Sequence, residues 1–280
     1  MNSTLRAVAD WCLSPRLQEV LEAAFHSLTA RSSAENRRLI ARHAGEQRCF
    51  VIGNGPSLKN MDLKPLADEY TIGANSFYKH PDAAAVALDY LCVFDPHFMR
   101  DEPKSVEWHN TLAGKLPVAR FLLHEAGRAL VARHGLYPGR EVYYLRRGGT
   151  ARRVSAVNLD LSRPLNNGVT TGSSVAIPLA ICLGFKEIYL VGFDCNWLED
   201  INKSYHFYEA HDQFPEFDST AKDNRGYSYE MELLASLREF QSHRFLREKA
   251  ESIGVRIVNA TRGGLLDVYE RKPYEECLIR

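Results

Sequence analysis

Three groups of residues in this 280-residue chain have types and spacing suited to chemistry. The first is Gly53-Asn54-Gly55-Pro56-Ser57, which follows four apolar residues, Cys49 to Ile52. A buried strand that stops at such a turn needs the backbone freedom of glycine and leaves room for a phosphate. If a helix resumes near Ser57, that serine can cap it, and the open N–H groups of the first turn face an anion lying over the strand end. The turn lacks the third glycine of the dinucleotide fingerprint and the Gly-Lys-Ser/Thr of a Walker loop. A tight strand-to-helix turn without a ligand is therefore an equal reading.

The second group is the hydroxyl-rich run Asn166 to Ser174, with Thr171, Gly172 and Ser173 at its centre. It opens an apolar helix, Val175 to Leu183, that ends at Gly184 and feeds a strand running into Gly192-Phe193-Asp194, which makes a second candidate anion site. Pro178, inside that helix, is expected to distort its first turns. The third group lies between Asn196 and Tyr229, where the regular pattern lapses into Tyr205-His206-Phe207-Tyr208-Glu209-Ala210-His211-Asp212. An irregular stretch of this length inside a compact domain reads as an active-site lid. His206 and His211 are its general-base candidates, because histidine titrates near neutral pH, and a surface histidine is the plain alternative.

Single polar residues add to these. Asn75, after Tyr70-Thr71-Ile72-Gly73, can offer its amide to a sugar or base edge or can cap a turn. Asp95, after Leu91 to Phe94, can meet ribose hydroxyls or a metal. The paired aspartates of many metal-dependent sugar-nucleotide enzymes are absent, which favours the reading without metal. Arg146-Arg147-Gly148-Gly149-Thr150-Ala151-Arg152-Arg153 is a basic loop that suits an anionic acceptor or a solvated turn equally.

These residues need a frame to bring them together. From Cys49 onward apolar strand-length runs alternate with helical segments: Cys49–Ile52, Tyr70–Gly73, Leu91–Phe94, Val118–Leu123, Val142–Leu145, Ile188–Val191 and Val255–Val258, with a long helix from Tyr229 to Ala250. That alternation predicts an α/β fold with a mostly parallel, Rossmann-like single sheet, in which ligands collect beyond the carboxyl ends of the strands. Residues 1–47 form a helical N-terminal extension, with Leu17, Val20, Leu21, Ala24 and Leu28 on one face and a second helix restarting at Ser32-Ser33-Ala34-Glu35. Residues 48–280 make the binding domain, with the lid at about 196–229.

Composition narrows the class. With 45% hydrophobic and 25% charged residues the chain has ample core, and 35 basic against 35 acidic residues leave no net field for coating a nucleic acid. The six cysteines are scattered without a Cys-x-x-Cys pair, which reads as buried thiols in a reducing compartment. No window approaches a membrane span. The expectation is a cytoplasmic protein, with peripheral contact at the inner face of a membrane and self-association left open.

Gly53-Asn54-Gly55-Pro56-Ser57-Leu58, Asn75-Ser76-Phe77-Tyr78, and Thr171-Gly172 leading through Gly184-Phe185-Lys186-Glu187-Ile188-Tyr189-Leu190 to Gly192-Phe193-Asp194 together resemble the bacterial sialyltransferase family that uses CMP-sialic acid. A looser similarity is to the DUF115 proteins, which include motility-associated nonulosonate transferases and Mg²⁺-dependent diphosphokinases. The first resemblance implies a metal-independent transfer of an acidic sugar from a CMP donor to a glycan acceptor, on a fold of the single-sheet GT-A-variant type and with no further cofactor. It places the donor phosphate and ribose near Asn54 and Ser57, the sugar near Asn75, and the CMP moiety near Thr171, Gly172 and Asp194. Asp95 stands where the family has an asparagine before proline, and Tyr205 resembles the second of two tyrosines that steady the departing phosphate. The sequence departs from the family at Asn196, in place of the first tyrosine, and at Gly168 or Val169, in place of an arginine. No histidine stands near Tyr227 to Tyr229, where the family base is expected, which leaves His206 or His211 for that role. A nucleotide-binding protein without turnover and a DUF115-type diphosphokinase are the alternatives.

Overall fold

The computed structural model describes residues 34–117, 120–146, 154–165, 174–199, 206–208 and 229–279. In chain order the strands are β1 (Arg48–Ile52), β2 (Tyr70–Ala74), β3 (Tyr90–Val93), β4 (Arg120–His124), β5 (Val142–Leu145), β6 (Glu187–Val191), β7 (Arg256–Asn259) and β8 (Glu270–Arg271). The α-helices are α1 (Ala83–Val86), α2 (Pro103–Lys115), α3 (Arg128–His134), α4 (Ala176–Leu183), α5 (Tyr229–Glu251) and α6 (Tyr274–Cys277). One sheet takes the order β5-β4-β3-β2-β1-β6-β7-β8. Every neighbouring pair in it is parallel.

β1 sits inside the sheet, paired with β2 on one side and β6 on the other. Its side chains alternate between two cores, as a strand covered on both faces requires. Cys49 and Val51 join α4, Leu246 and Ala250 of α5, and Leu39 on one face. Phe50 and Ile52 join Leu58, Trp108, Leu112 and Tyr274 on the other. The described cysteines Cys49, Cys92, Cys182, Cys195 and Cys277 are buried thiols outside any disulfide, while Cys12 lies outside the described residues.

Several sequence expectations change in detail. Ala34–Leu39 is a 3-10 helix rather than the start of an α-helix. It belongs to the α/β body: Leu39 is fully buried, and Asn36 Nδ2 donates to the carbonyls of Tyr144 (2.8 Å) and Leu161 (3.0 Å). Pro178 does not distort α4. It is the third residue of the helix, where the backbone N–H has no partner within the helix to lose. The two-residue strand β8 gave no apolar run to recognise, because both of its residues are charged and exposed.

The C-terminus is fastened beneath the sheet by Arg48 at the start of β1. Its guanidinium pairs with Glu69 through two nitrogens (2.5 and 3.1 Å) and donates to the carbonyls of Cys277 (3.1 Å) and Ile279 (3.3 Å). Both charged side chains are largely buried, so removing one strands the other in a poor dielectric. Arg48→Met should lower unfolding free energy at neutral pH by about 3 kcal/mol, measured by urea titration, and a loss below about 1 kcal/mol would show the pair to be solvated.

Candidate functional site

The strand order reverses between β1 and β6, because the chain builds outward from β1 to β5 and then returns to the other side of β1 for β6 to β8. Crevices at such a switch point, beyond the carboxyl ends of the strands, are where open parallel sheets bind ligands. A pocket of about 90 Å³ lies there, lined by Asn54, Gly55, Ser174, Gly192, Phe193, Asp194, Cys195, Asn196, Trp197 and His206. Its size suits one sugar ring or a comparable group, since whole drug-sized ligands fill several hundred Å³. A larger hollow of about 560 Å³ beside edge strand β5 is a weaker candidate. The charges lining it pair with one another, Arg42 with Glu141 (2.7 Å) and Arg128 with Glu35 (2.6 Å).

The two turns that meet at the switch point are tied by Asp194. Its Oδ1 accepts from the Ser57 N–H (3.1 Å) and its Oδ2 from the Ser57 hydroxyl (2.8 Å). The amide expected to face a ligand anion is therefore engaged by a carboxylate of the protein itself. Ser57 also does not cap the following helix. That helix is a 3-10 turn, Pro56–Asn60, with Gly55 at the cap position and no side-chain cap. Burial pushes the Asp194 carboxyl above the usual range, and the two Ser57 hydrogen bonds oppose that shift.

The glycines of the turn serve this crossing. A Cβ on Gly53 would lie 2.4 Å from the Gly192 carbonyl oxygen, and one on Gly55 would lie within 1.8 Å of Asp194 Oδ2. A third turn backs the site. Thr261, after β7, accepts the Phe193 N–H through its hydroxyl (2.9 Å), and the Leu265 N–H donates to the Asp194 carbonyl (2.7 Å).

Asn54 is buried, and its Nδ2 donates to the Ala74 carbonyl (2.9 Å), which fixes the amide orientation because a carbonyl only accepts. Its Oδ1 is buried with no hydrogen-bond partner among the described residues. A buried orphan acceptor beside a pocket marks a place for a ligand donor. Asn75 adopts a left-handed φ of 44°, and its Oδ1 is likewise buried and unpartnered. Asp95 is engaged locally, capping the turn Pro96–Met99 through the His97 N–H (3.0 Å) and pairing with His97 Nδ1 (2.8 Å). Neither Asn75 nor Asp95 lines the pocket around Asn54.

His206 does line it. The Phe207 N–H donates to the Asn54 carbonyl (3.1 Å), and the His206 ring stacks on Tyr208 at 4.9 Å between centroids. Burial holds His206 below the ordinary histidine range, against opposing pulls from the Asn54 backbone and Asp95. Burial thus favours the neutral form of the ring over the imidazolium. Burial pushes the Tyr208 phenol up to about 12. Tyr205, His211, Thr171, Gly172 and Ser173, with residues 200–205 and 209–228 of the segment expected to form a lid, lie outside the described residues.

Sequence reasoning passed over Ser174, Trp197, Glu239 and His243. Ser174 was legible as the last hydroxyl of the run from Asn166, whereas Glu239 and His243 carry only a helical i, i+4 spacing. Among the described residues no three His, Cys, Asp or Glu side chains gather as a metal would need, and no helix is long and apolar enough to cross a membrane.

No protein-family model matches the chain, and no curated protein matches it in sequence. Among solved structures it is similar to the sialyltransferase CstII from Campylobacter jejuni in complex with a substrate analogue, CMP-3FNeuAc. The identity is 15%, the match covers 81% of this chain and 87% of that one, and the TM-score is 0.49.

The close approach at Gly55 sets a test of the turn. Gly55→Ala should destabilise the protein by about 1–3 kcal/mol, and by less in an Asp194→Ala background, as read by urea unfolding of the double-mutant cycle. Equal penalties in both backgrounds would show that the Asp194 carboxylate is not what requires a glycine there.

Proposed function

We propose that the protein is a glycosyltransferase that moves an acidic sugar, a sialic acid or related nonulosonate or Kdo, from a CMP donor to a glycan acceptor. The observation that carries this reading is the pocket at the β1/β6 switch point, with Asn54, Ser174, Asp194 and His206 around it. It unites the two sequence segments whose motifs resemble the CMP-sialic acid transferases. Asn54 and Asp194 present acceptors, which suit the hydroxyl and amino groups of a nucleoside. Because Ser57 is engaged by Asp194, this reading assigns the donor phosphate to Thr171, Gly172 and Ser173, the segment that the family resemblance gives to the CMP moiety.

In the reaction His206 takes the proton of the acceptor hydroxyl as its oxygen bonds the anomeric carbon. The bond from that carbon to the phosphate oxygen breaks, and its electron pair leaves with CMP. Tyr205 and the hydroxyls of the Thr171 turn steady the charge that develops on the phosphate. The same residues are the ones to alter in separating this reading from a diphosphokinase or a non-catalytic nucleotide binder.

A thermal-shift panel of CMP, UMP, GMP, AMP and ATP tests the donor. CMP should stabilise the protein most, by roughly 2–3 kcal/mol near a hundredfold excess over Kd, and Asn54→Ala should weaken that binding by about 0.5–1.5 kcal/mol. Equal or better stabilisation by ATP with Mg²⁺ would overturn the CMP reading in favour of the diphosphokinase. His206→Ala should lower transfer by about 10²- to 10⁴-fold while CMP affinity stays nearly unchanged. Near wild-type turnover in that variant would remove His206 as base and turn attention to His211.

A further inference from the structure

The two faces of α5 are unlike. The inner face buries Ser236, Glu239, Ser242, His243, Leu246 and Ala250, and the Ser174 hydroxyl donates to Glu239 there. The outer face changes character along its length. Toward the C-terminal end it carries Gln241, Arg244 and Glu251, the ordinary surface of a helix in water. Over the first nine residues it carries Tyr229, Leu233, Leu234 and Leu237, which are 56%, 43%, 45% and 54% exposed. At about 100° of rotation per residue, Tyr229, Leu233 and Leu237 line one stripe on the side away from Glu239, with Leu234 beside it. Eight large apolar side chains are exposed among the described residues, and four of them gather here. A leucine exposed singly needs no explanation, whereas a patch of them does.

Two charges frame the stripe. Glu230 stands at its start and Arg238 at its end, both exposed, and neither side chain pairs with another described residue. An apolar stripe with an acid at one end and a base at the other is complementary to itself when one copy is reversed, which is what a two-fold axis does. With that axis near Leu234, Leu233 of one copy meets Leu237 of the second, and Glu230 of each reaches Arg238 of the other along the same flank. The contact is therefore made twice, and the two helix dipoles oppose each other favourably. A membrane surface calls instead for basic residues around the apolar face, and the first turn of α5 carries Glu230 and Glu232.

We propose that this stripe is the contact between two copies of the chain, packed antiparallel through the first halves of their α5 helices. The leucines supply the attraction by leaving water, and the Glu230–Arg238 pairs fix the direction and register of the second copy, as charges at the rim of an apolar contact do. Nine helical residues span about 13 Å, so the contact is at the small end of specific interfaces and the association is weak and reversible. The inference stands on the outer face of α5 alone and is independent of the nucleotide reading.

Sedimentation velocity of the 280-residue chain across a concentration series tests the contact. Wild type should pass from monomer to dimer with a dissociation constant on the order of 10 µM, and the series extends to about tenfold above that value. Leu237→Glu, at an exposed position where the circular dichroism of the fold should be kept, should weaken the dimer roughly tenfold or more. Glu230→Arg and Arg238→Glu alone should each weaken it about 3- to 30-fold, and more at low salt. The double variant Glu230→Arg/Arg238→Glu should return close to wild type, a rescue that general damage to the helix does not give. A wild type that stays monomeric throughout the series overturns the proposal. If that monomer co-sediments with phosphatidylglycerol vesicles and Leu237→Glu abolishes the binding, the stripe belongs to a membrane surface instead. A dimer that Leu237→Glu leaves intact places the contact elsewhere, and a double variant as weak as the single ones rejects the antiparallel arrangement.

Discussion

The contact on which the site depends is the one between Asp194 and Ser57. It joins the turn after β1 to the turn after β6, the two strands between which the sheet reverses its direction of growth. A parallel sheet leaves such a gap because consecutive strands part company there, and the loops on either side must be held if the gap is to keep a shape. Two hydrogen bonds to one carboxylate do this, with the Leu265 and Thr261 contacts closing the third side. Gly53 and Gly55 follow from that requirement, since any side chain there would occupy the volume of the crossing backbone or of the carboxylate.

Holding the gap with a carboxylate gives it a chemical character. Asp194 is buried and Glu239 more so, while the amide that would have welcomed an anion at Ser57 is engaged. Asn54 Oδ1 and the Asp194 carboxylate are acceptors in the polar lining. A ligand rich in hydroxyl groups suits this surface without bringing a charge into a poor dielectric.

The polar layer beneath the pocket links the site to the core. Ser174 precedes α4, Glu239 and His243 lie on α5, and Tyr269 lies just before β8, so one network runs from the residue ahead of α4 through α5 to the segment before the edge strand. α4 itself is apolar on every side and packs with β1 and β2. The helix that follows Ser174 is thereby fixed by burial, and the Ser174 hydroxyl is held by its hydrogen bond to Glu239.

Much of this could be read along the chain. Continuous apolar runs such as Cys49–Ile52 and Ile188–Val191 announce strands buried on both faces, and their alternation with helices implies a parallel sheet, because burial and periodicity are properties of neighbouring residues. The turns after β1 and β6 were legible for the same reason, as were Asn54, Asp194 and His206 as residues at strand ends or in an irregular segment. What those residues contact was not. That Asp194 reaches back to Ser57, 137 positions earlier, that Asp95 is engaged by its neighbour His97, and that Glu239 stands behind Ser174, 65 positions away, depend on which strand lies beside which. Strand order carries no local signature: it is set by the packing of helices on the whole sheet, and only that packing brought Asp194 onto the turn after β1 and two polar residues of a long helix up to Ser174.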